Sequence, residues 1–225
     1  MRTNLTQTIE DYIKAIYEST ARGERATTNL LAEKLGVTAA SVTEMLKKLT
    51  GTEPPLVDYQ KHHGVLLTAS GERVALEIVR HHRLLEMFLH QVLGYAWDQV
   101  HAEADRLEHV ISEDFEERMA AALGNPQHDP HGEPIPTQDL HMPETPTLAL
   151  MDLRPDQKAV VHRVNSGDEA LLRYLGELGI VPQAGLIVLA YSPFDENLTL
   201  QVSGKDNPVV LGPRVTRAVF VELTD

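Results

Sequence analysis

Apolar positions recur at intervals of three and four near the start of the chain. Leu5, Ile9, Tyr12, Ile13, Ile16 and Tyr17 fall on one face of a predicted helix. Thr28 can cap a second helix with Leu30, Leu31 and Leu35 on its apolar side, and Gly36 ends it. Val37 and Thr38 turn into a third helix over 39–49, where Val42, Leu46 and Leu49 face inward. Two short helices joined by a turn that starts with glycine read as a helix-turn-helix. The runs 56–60 and 65–67 flank the polar Lys61-His62-His63-Gly64, a pattern that predicts a hairpin or wing. Another helix opens at 68–72.

Residues 72–123 predict two helices split near Gly94. The first carries Val74, Ile78, Leu85, Phe88, Leu89 and Val92, and the second Val100, Leu107, Val110, Ile111, Phe115 and Met119. Two helices cannot enclose a core alone, so this apolar face packs on the first block or on a second copy of the chain. Residues 124–147 contain six prolines and predict an extended, semi-rigid linker. Beyond it, 169–178 reads as a helix, and 186–191, 198–202 and 218–223 alternate as strands. A small barrel of five or six strands is the expected packing.

Composition narrows the classes. The 225 residues include no cysteine, so disulfides and thiolate metal sites are excluded and a reducing cytoplasm is the expected compartment. No apolar run reaches the ~18 residues of a membrane-spanning helix. The N-terminus lacks the apolar stretch of a secretory signal. The net charge is −13. Residues 1–75 carry nine basic and nine acidic side chains, so the whole excess lies beyond them. A neutral N-terminal module on an acidic body binds DNA when its charges are sorted by face, or when a cation neutralises part of the body.

Two groups of residues carry chemistry. Asp105, Glu108 and His109, with His101 one turn earlier, share one face of a predicted helix. His82 and Glu86 are four apart on the preceding helix, and Asp11 follows Glu10 on the first. Carboxylates and imidazoles at this spacing can converge on one cation, although a His/Glu pair four apart is also the ordinary pattern of a solvated surface. The third helix presents Thr38, Ser41, Thr43, Glu44, Lys47 and Lys48 opposite its apolar side. Hydroxyls bond phosphates or bases, lysines neutralise phosphates, and Glu44 can accept from a cytosine amino group. Short helices with a turn also occur in proteins that bind nothing, but a wing beside the third helix favours DNA.

This order of elements resembles the diphtheria-toxin-repressor-like metalloregulators over essentially the whole chain. The resemblance rests on the runs at 6–13, 37–49, 81–86 (His-His-Arg-Leu-Leu-Glu), 100–110 and 129–136 (Asp-Pro-His-Gly-Glu-Pro-Ile-Pro). It implies a winged helix-turn-helix DNA-binding domain at 1–72 and a helical metal-binding and dimerisation domain at 73–123. The Pro-rich linker then spans 124–147, and an SH3-like, FeoA-like barrel spans 148–225. The implied primary regulatory site is Asp11, Asp105, Glu108 and His109, and the ancillary site is His82, Glu86 and His101. The implied base-reading positions are Thr38, Ala40, Ser41, Thr43 and Glu44, with Lys47 and Lys48 beside them. Iron-responsive members carry methionine and cysteine where this chain has Asp11 and Asp105, so the manganese-responsive branch is implied, with Fe2+ as a substitute for Mn2+. Barrel-derived ligands of the ancillary site align near 163–166, where Arg163 and Ser166 are poor donors.

The expected function is a cytoplasmic, manganese-dependent repressor of metal-transport genes. It would act as a homodimer on a palindromic double-stranded operator, away from membranes. Three alternatives remain: an iron-dependent regulator of the same family, a hydrolase using Asp105, Glu108 and His109, and a metal-storage or adaptor protein that does not bind DNA. Ester hydrolysis that survives mutation of the third helix but dies with His109 would support the hydrolase, and footprinting with and without metal separates the storage or adaptor reading from regulation.

Overall fold

The first apolar stripe forms helix α1, Gln7–Thr20, which buries Ile9, Tyr12, Ile13, Ala15 and Ile16 along one side. In the computed structural model, residues 5–20, 23–165 and 167–224 are described. Ser166 lies outside the described residues. The chain separates into two compact units, one from residues 1–81, 108–111 and 136–142, the other from 82–107, 112–135 and 143–225.

In the first unit α2 spans Thr28–Leu35 and α3 Ala39–Thr50. Thr27, rather than Thr28, caps α2, its side chain accepting from the Leu30 amide. The register differs by one because Thr28 already has helical backbone. Gly36 closes α2 with φ 65°, a left-handed conformation that costs glycine little. Thr38 caps α3 by accepting from the Ser41 amide. Strands β1 (Val57–Gln60) and β2 (Gly64–Leu67) pair antiparallel as the wing, with Gln60 opposite Gly64. Ile13, Ile16, Leu31, Val42, Leu46, Leu49 and Val65 form one buried core with Ile78 of α4, Ala69–Gln91. Truncating a leucine such as Leu46, fully buried here, costs about 2–5 kcal/mol.

The second unit begins partway along α4 and holds α5, Val100–Leu107, and α6, Glu113–Ala122. The sequence pattern predicts one helix here, and the structure breaks it. Ser112 accepts from the Phe115 amide, and Glu113, Asp114 and Glu116 fill the next turn, so a new helix starts at 113. Glu108 and His109 therefore lie in the turn after α5 rather than on its face.

The proline-rich segment is also not simply an extended spacer. Asp129 Oδ1 accepts from the amides of His131 and Glu133, and the Asp129 amide pairs with the Glu133 carbonyl. Gly132 has φ +86°, and a Cβ there would lie 2.1 Å from the His162 carbonyl oxygen. The Val164 amide donates to the His131 carbonyl. Asp129, His131, Pro134, Ile135 and Pro136 are buried. Packing of the apolar prolines and internal hydrogen bonds override the extended preference.

The C-terminal part of this unit contains β3 (Lys158–Val164), α7 (Glu169–Leu178), β4 (Gly185–Tyr191), β5 (Leu198–Val202), β6 (Val209–Leu211), α8 (Pro213–Thr216) and β7 (Val219–Thr224). The five strands run antiparallel in the order β6-β5-β4-β3-β7. This SH3-like sheet is open, not a closed barrel: among the described residues no ladder joins β6 to β7. Leu172 and Leu175 of α7 join the same buried core as Val161, Val188 and Leu200, so a helix contributes to sealing it. No helix among the described residues is long and apolar enough to cross a membrane.

Candidate functional site

Helix α1 carries Glu10 on its buried side, where the helical period otherwise places Ile9, Ile13 and Ile16. A carboxylate in that stripe needs a partner. His109 Nδ1 lies 2.6 Å from Glu10 Oε2, so in the neutral ring Nδ1–H donates to Glu10. The lone pair of Nε2 is then left for Asp11 Oδ1 at 2.9 Å and Glu108 Oε1 at 3.4 Å to face. A carboxylate behind the imidazole is the arrangement that orients histidine metal ligands. Lys14 Nζ lies 3.0 and 2.7 Å from the two oxygens of Glu108. Burial pushes the Asp11 carboxyl up, His109 opposes it, and Glu108 adds to the rise. For His109, burial alone would lower the pKa, but the Glu10 hydrogen bond and the charges of Glu108 and Asp11 outweigh it and raise it. The first unit thus gathers three of the expected primary residues, Asp11, Glu108 and His109. It adds Glu10 and Lys14, which the sequence reading did not single out for this site. The available signal was a charged residue inside an apolar stripe, with Lys14 one turn after it.

Asp105, the fourth expected primary residue, is exposed on α5 in the second unit. Its Oδ1 lies 3.3 Å from His82 Nδ1 and its Oδ2 3.6 Å from His101 Nε2. The expected ancillary residues come together: Glu86 Oε1 is 3.0 Å from both His82 Nε2 and His101 Nδ1. Glu86 is 1% exposed.

The structure extends this cluster into the proline-rich loop. His131 Nδ1 lies 3.8 Å from Glu86 Oε2 and 3.9 Å from Asp129 Oδ1. All three residues are buried, and their donor atoms lie within 4.8 Å of one another. His131 Nε2 is 2.7 Å from the Trp97 carbonyl, a bond that only an Nε2–H can make. In the neutral ring, the Nδ1 lone pair therefore faces two carboxylates, and that buried atom has no hydrogen-bond partner. A proton or a cation relieves this arrangement. Burial would raise Glu86, but His82, His101 and His131 hold it well below the usual carboxylate range. Asp129 is pushed up to about 8, first by burial and then by the Glu86 charge. Burial lowers His131, whereas Glu86 and Asp129 outweigh it and raise the pKa. The sequence signal for this extension was Asp-Pro-His at 129–131, inside a stretch read as linker.

Arg163 does not join the cluster as a donor. Its guanidinium bonds Glu133 Oε1 at 2.8 Å and stacks over the Phe220 ring at 3.6 Å. Arg83 approaches Asp129 Oδ2 at 4.0 Å and Glu133 Oε2 at 3.5 Å. Both carboxylate–imidazole groups offer only oxygen and nitrogen donors, a set that fits a hard or borderline divalent cation.

On α3, Thr38, Ala40, Ser41, Glu44, Lys47 and Lys48 are exposed, and Thr43 is half-buried. Thr38 Oγ1 is engaged in the cap and lies 2.9 Å from Ser41 Oγ. Thr43 Oγ1 donates to the Ala39 carbonyl, and Lys47 pairs with Glu44 at 2.8 Å.

Three family models match the chain in order. The iron dependent repressor N-terminal DNA binding domain matches residues 4–65, and the iron dependent repressor metal binding and dimerisation domain matches 68–137. The FeoA domain matches 148–223. The iron-dependent repressor IdeR of Mycobacterium tuberculosis is 31% identical over 230 residues, covering 97% of this chain and 98% of that protein. Among solved structures, a manganese-dependent transcriptional repressor in complex with manganese is 39% identical, with a TM-score of 0.87 over 96% of this chain and all of that one. The manganese regulator SloR is 33% identical, with a TM-score of 0.78 over 98% of this chain and all of that one. With near-complete coverage on both sides and all three models in sequence, the chain belongs to the iron-dependent repressor family of diphtheria-toxin-repressor-like, metal-dependent DNA-binding regulators.

Proposed function

We propose that this repressor responds to manganese, and that it is a cytoplasmic homodimer acting on a palindromic operator of metal-transport genes. The observation that carries the metal reading is the buried His131 Nδ1, without a hydrogen-bond partner and facing Glu86 and Asp129. Asp11, Glu108 and His109 would form the primary site. His82, Glu86 and His101 would form the ancillary one, extended by Asp129 and His131. A bound divalent cation would supply positive charge to these carboxylates and tie together side chains from separate elements. Manganese is favoured because the donors are carboxylates and imidazoles with no sulfur. Iron is the alternative, since relatives such as IdeR bear the name iron-dependent repressor.

The protein's own residues link metal to DNA. Glu10 and Asp11 sit on α1 and Glu108 and His109 in the turn after α5, all within the unit that contains α3. Fixing these elements favours one placement of the recognition helices. In a dimer these must stand about 34–36 Å apart, or a multiple of that distance, to enter successive major grooves. Metal and DNA then tighten each other's binding by the same factor. Val92, Leu93, Val110 and Phe115 are exposed apolar side chains of the helical segment, at 45–76% exposure, and are the natural material of a dimer contact. Ala40 and Glu44 would read bases from α3, beside Thr38, Ser41 and Thr43, while Lys47 and Lys48 would meet phosphates.

Genome-wide DNA binding at low and high Mn2+ tests this reading, alongside His109→Ala. Manganese-dependent occupancy of palindromic sites near transporter genes, lost in the variant, is expected. Occupancy indifferent to Mn2+ but responsive to Fe2+ would select the iron reading. Occupancy indifferent to both would overturn the metal-dependent one.

A further inference from the structure

Lys14 lies on α1, one turn beyond Glu10 and Asp11. Its ammonium reaches both oxygens of Glu108, at 3.0 and 2.7 Å, and the two side chains are only 11% and 2% exposed. The same site holds Glu10 and Asp11, both in contact with the His109 ring. Three carboxylates are thus gathered around one imidazole and one ammonium. An uncompensated carboxylate as buried as Glu108 would be strongly unfavourable, so a positive charge is needed there whether or not a metal is bound.

We propose that Lys14 is the resident counter-cation of the Asp11–Glu108–His109 site, and that a divalent metal must compete with it for Glu108. The inference rests on the metal reading above. While Lys14 engages both Glu108 oxygens, neither is fully available to a metal ion. Lys14 therefore sets the free metal concentration at which the site fills. Its geometry suits an exchangeable partner: an ammonium on a flexible four-carbon stem can withdraw and be hydrated. A guanidinium would grip the same carboxylate in a planar two-bond fork and yield it less readily.

The test is Mn2+ titration of the full chain by calorimetry, comparing wild type, Lys14→Met, Lys14→Arg and His109→Ala, with thermal melts in chelator and in Mn2+. The readout is the binding event that His109→Ala removes. Lys14→Met should bind Mn2+ about ten-fold tighter or better, and its melting point should rise more on adding Mn2+ than that of wild type. Lys14→Arg should bind several-fold more weakly. Unchanged or weaker binding by Lys14→Met overturns the proposal, as does equal or tighter binding by Lys14→Arg. If Lys14→Met folds only with Mn2+, the metal is replacing the missing charge and the proposal is supported, with Lys14→Arg still able to overturn it. A wild-type titration unaltered by His109→Ala removes the metal reading itself. His109-dependent binding that is identical in both lysine variants removes this inference alone.

Discussion

The Nε2–H of His131 is committed to the carbonyl oxygen of Trp97, 2.7 Å away. One backbone atom thus decides which face of the imidazole looks at Glu86 and Asp129. The ring itself is 0% exposed, so it cannot rotate toward solvent to find another partner. Losing even an outer-shell partner of a metal ligand commonly costs 10–100-fold in affinity. His131→Ala should therefore lower Mn2+ affinity at the ancillary site by ~100-fold or more. Trp97→Phe should preserve it, because the carbonyl remains. Calorimetric titration of both variants checks this, and full-affinity binding by His131→Ala would exclude His131 as a donor.

The buried carboxyl of Asp129 makes a pH prediction. Its pKa is pushed up to about 8, so the folded protein keeps a proton that the unfolded chain releases near pH 4. The stabilising contribution is complete below about pH 4 and is lost as pH rises toward 8. His109, also raised, acts with the same sign above its unfolded value. Glu86, lowered, acts only in acid, where its contribution is lost as pH falls through the carboxylate range. Urea unfolding in chelator between pH 5 and 8 should therefore show metal-free stability falling with pH. Asp129→Asn should show a visibly flatter profile. Matching slopes in the two proteins would mean that Asp129 is ionised throughout.

Local signals made much of the architecture legible. The threes and fours of α1, the glycine after α2 and the polar turn between two short apolar runs each follow from one residue's nearest neighbours. The errors arose where a distant contact or a competing cap decided the outcome. Apolar residues on both sides of Glu108 suggested one continuous helix, but Ser112 and the acidic residues after it start a second one. That break takes Glu108 and His109 off the face of α5, so helical spacing is not what positions them. Prolines at 130, 134 and 136 suggested an extended spacer. Asp129 instead folds the loop through its own side chain, and Gly132 presses the loop onto β3. No periodicity signals a histidine whose role depends on the carbonyl of a tryptophan 34 residues earlier.

The recognition helix separates two kinds of contact. Glu44 is exposed and paired with Lys47 on the same helix, so base contact must compete with that ion pair. Exposed pairs of this kind contribute little and yield readily. Glu44→Ala should change base preference at one position per half-site by ~1–3 kcal/mol. Lys47→Ala and Lys48→Ala should weaken binding to all sequences alike and flatten its salt dependence. Selection of binding sites from a random DNA pool, followed by salt titrations, separates the two effects. An unchanged selected motif and affinity for Glu44→Ala would remove that residue from the reading surface.

Metal choice is the sharpest test of Asp11. Its Oδ1 lies 2.9 Å from His109 Nε2, and its side chain is 42% exposed, so a replacement there can be accommodated at the rim of the site. With aspartate, the site presents oxygen and nitrogen only. Raw affinity still favours later metals, since zinc and copper outbind manganese at most such sites. Selectivity must therefore come from which ion completes the site in the DNA-competent arrangement. Mn2+ should activate operator binding best, Fe2+ partially, and Zn2+ should bind tightly while activating less. Asp11→Met exchanges a hard oxygen for a soft thioether, which should move activation toward Fe2+ and away from Mn2+. Operator affinity measured against free metal for each ion, in wild type and variant under anaerobic conditions, decides the matter. The same order of ions in both proteins would show that Asp11 does not select the metal.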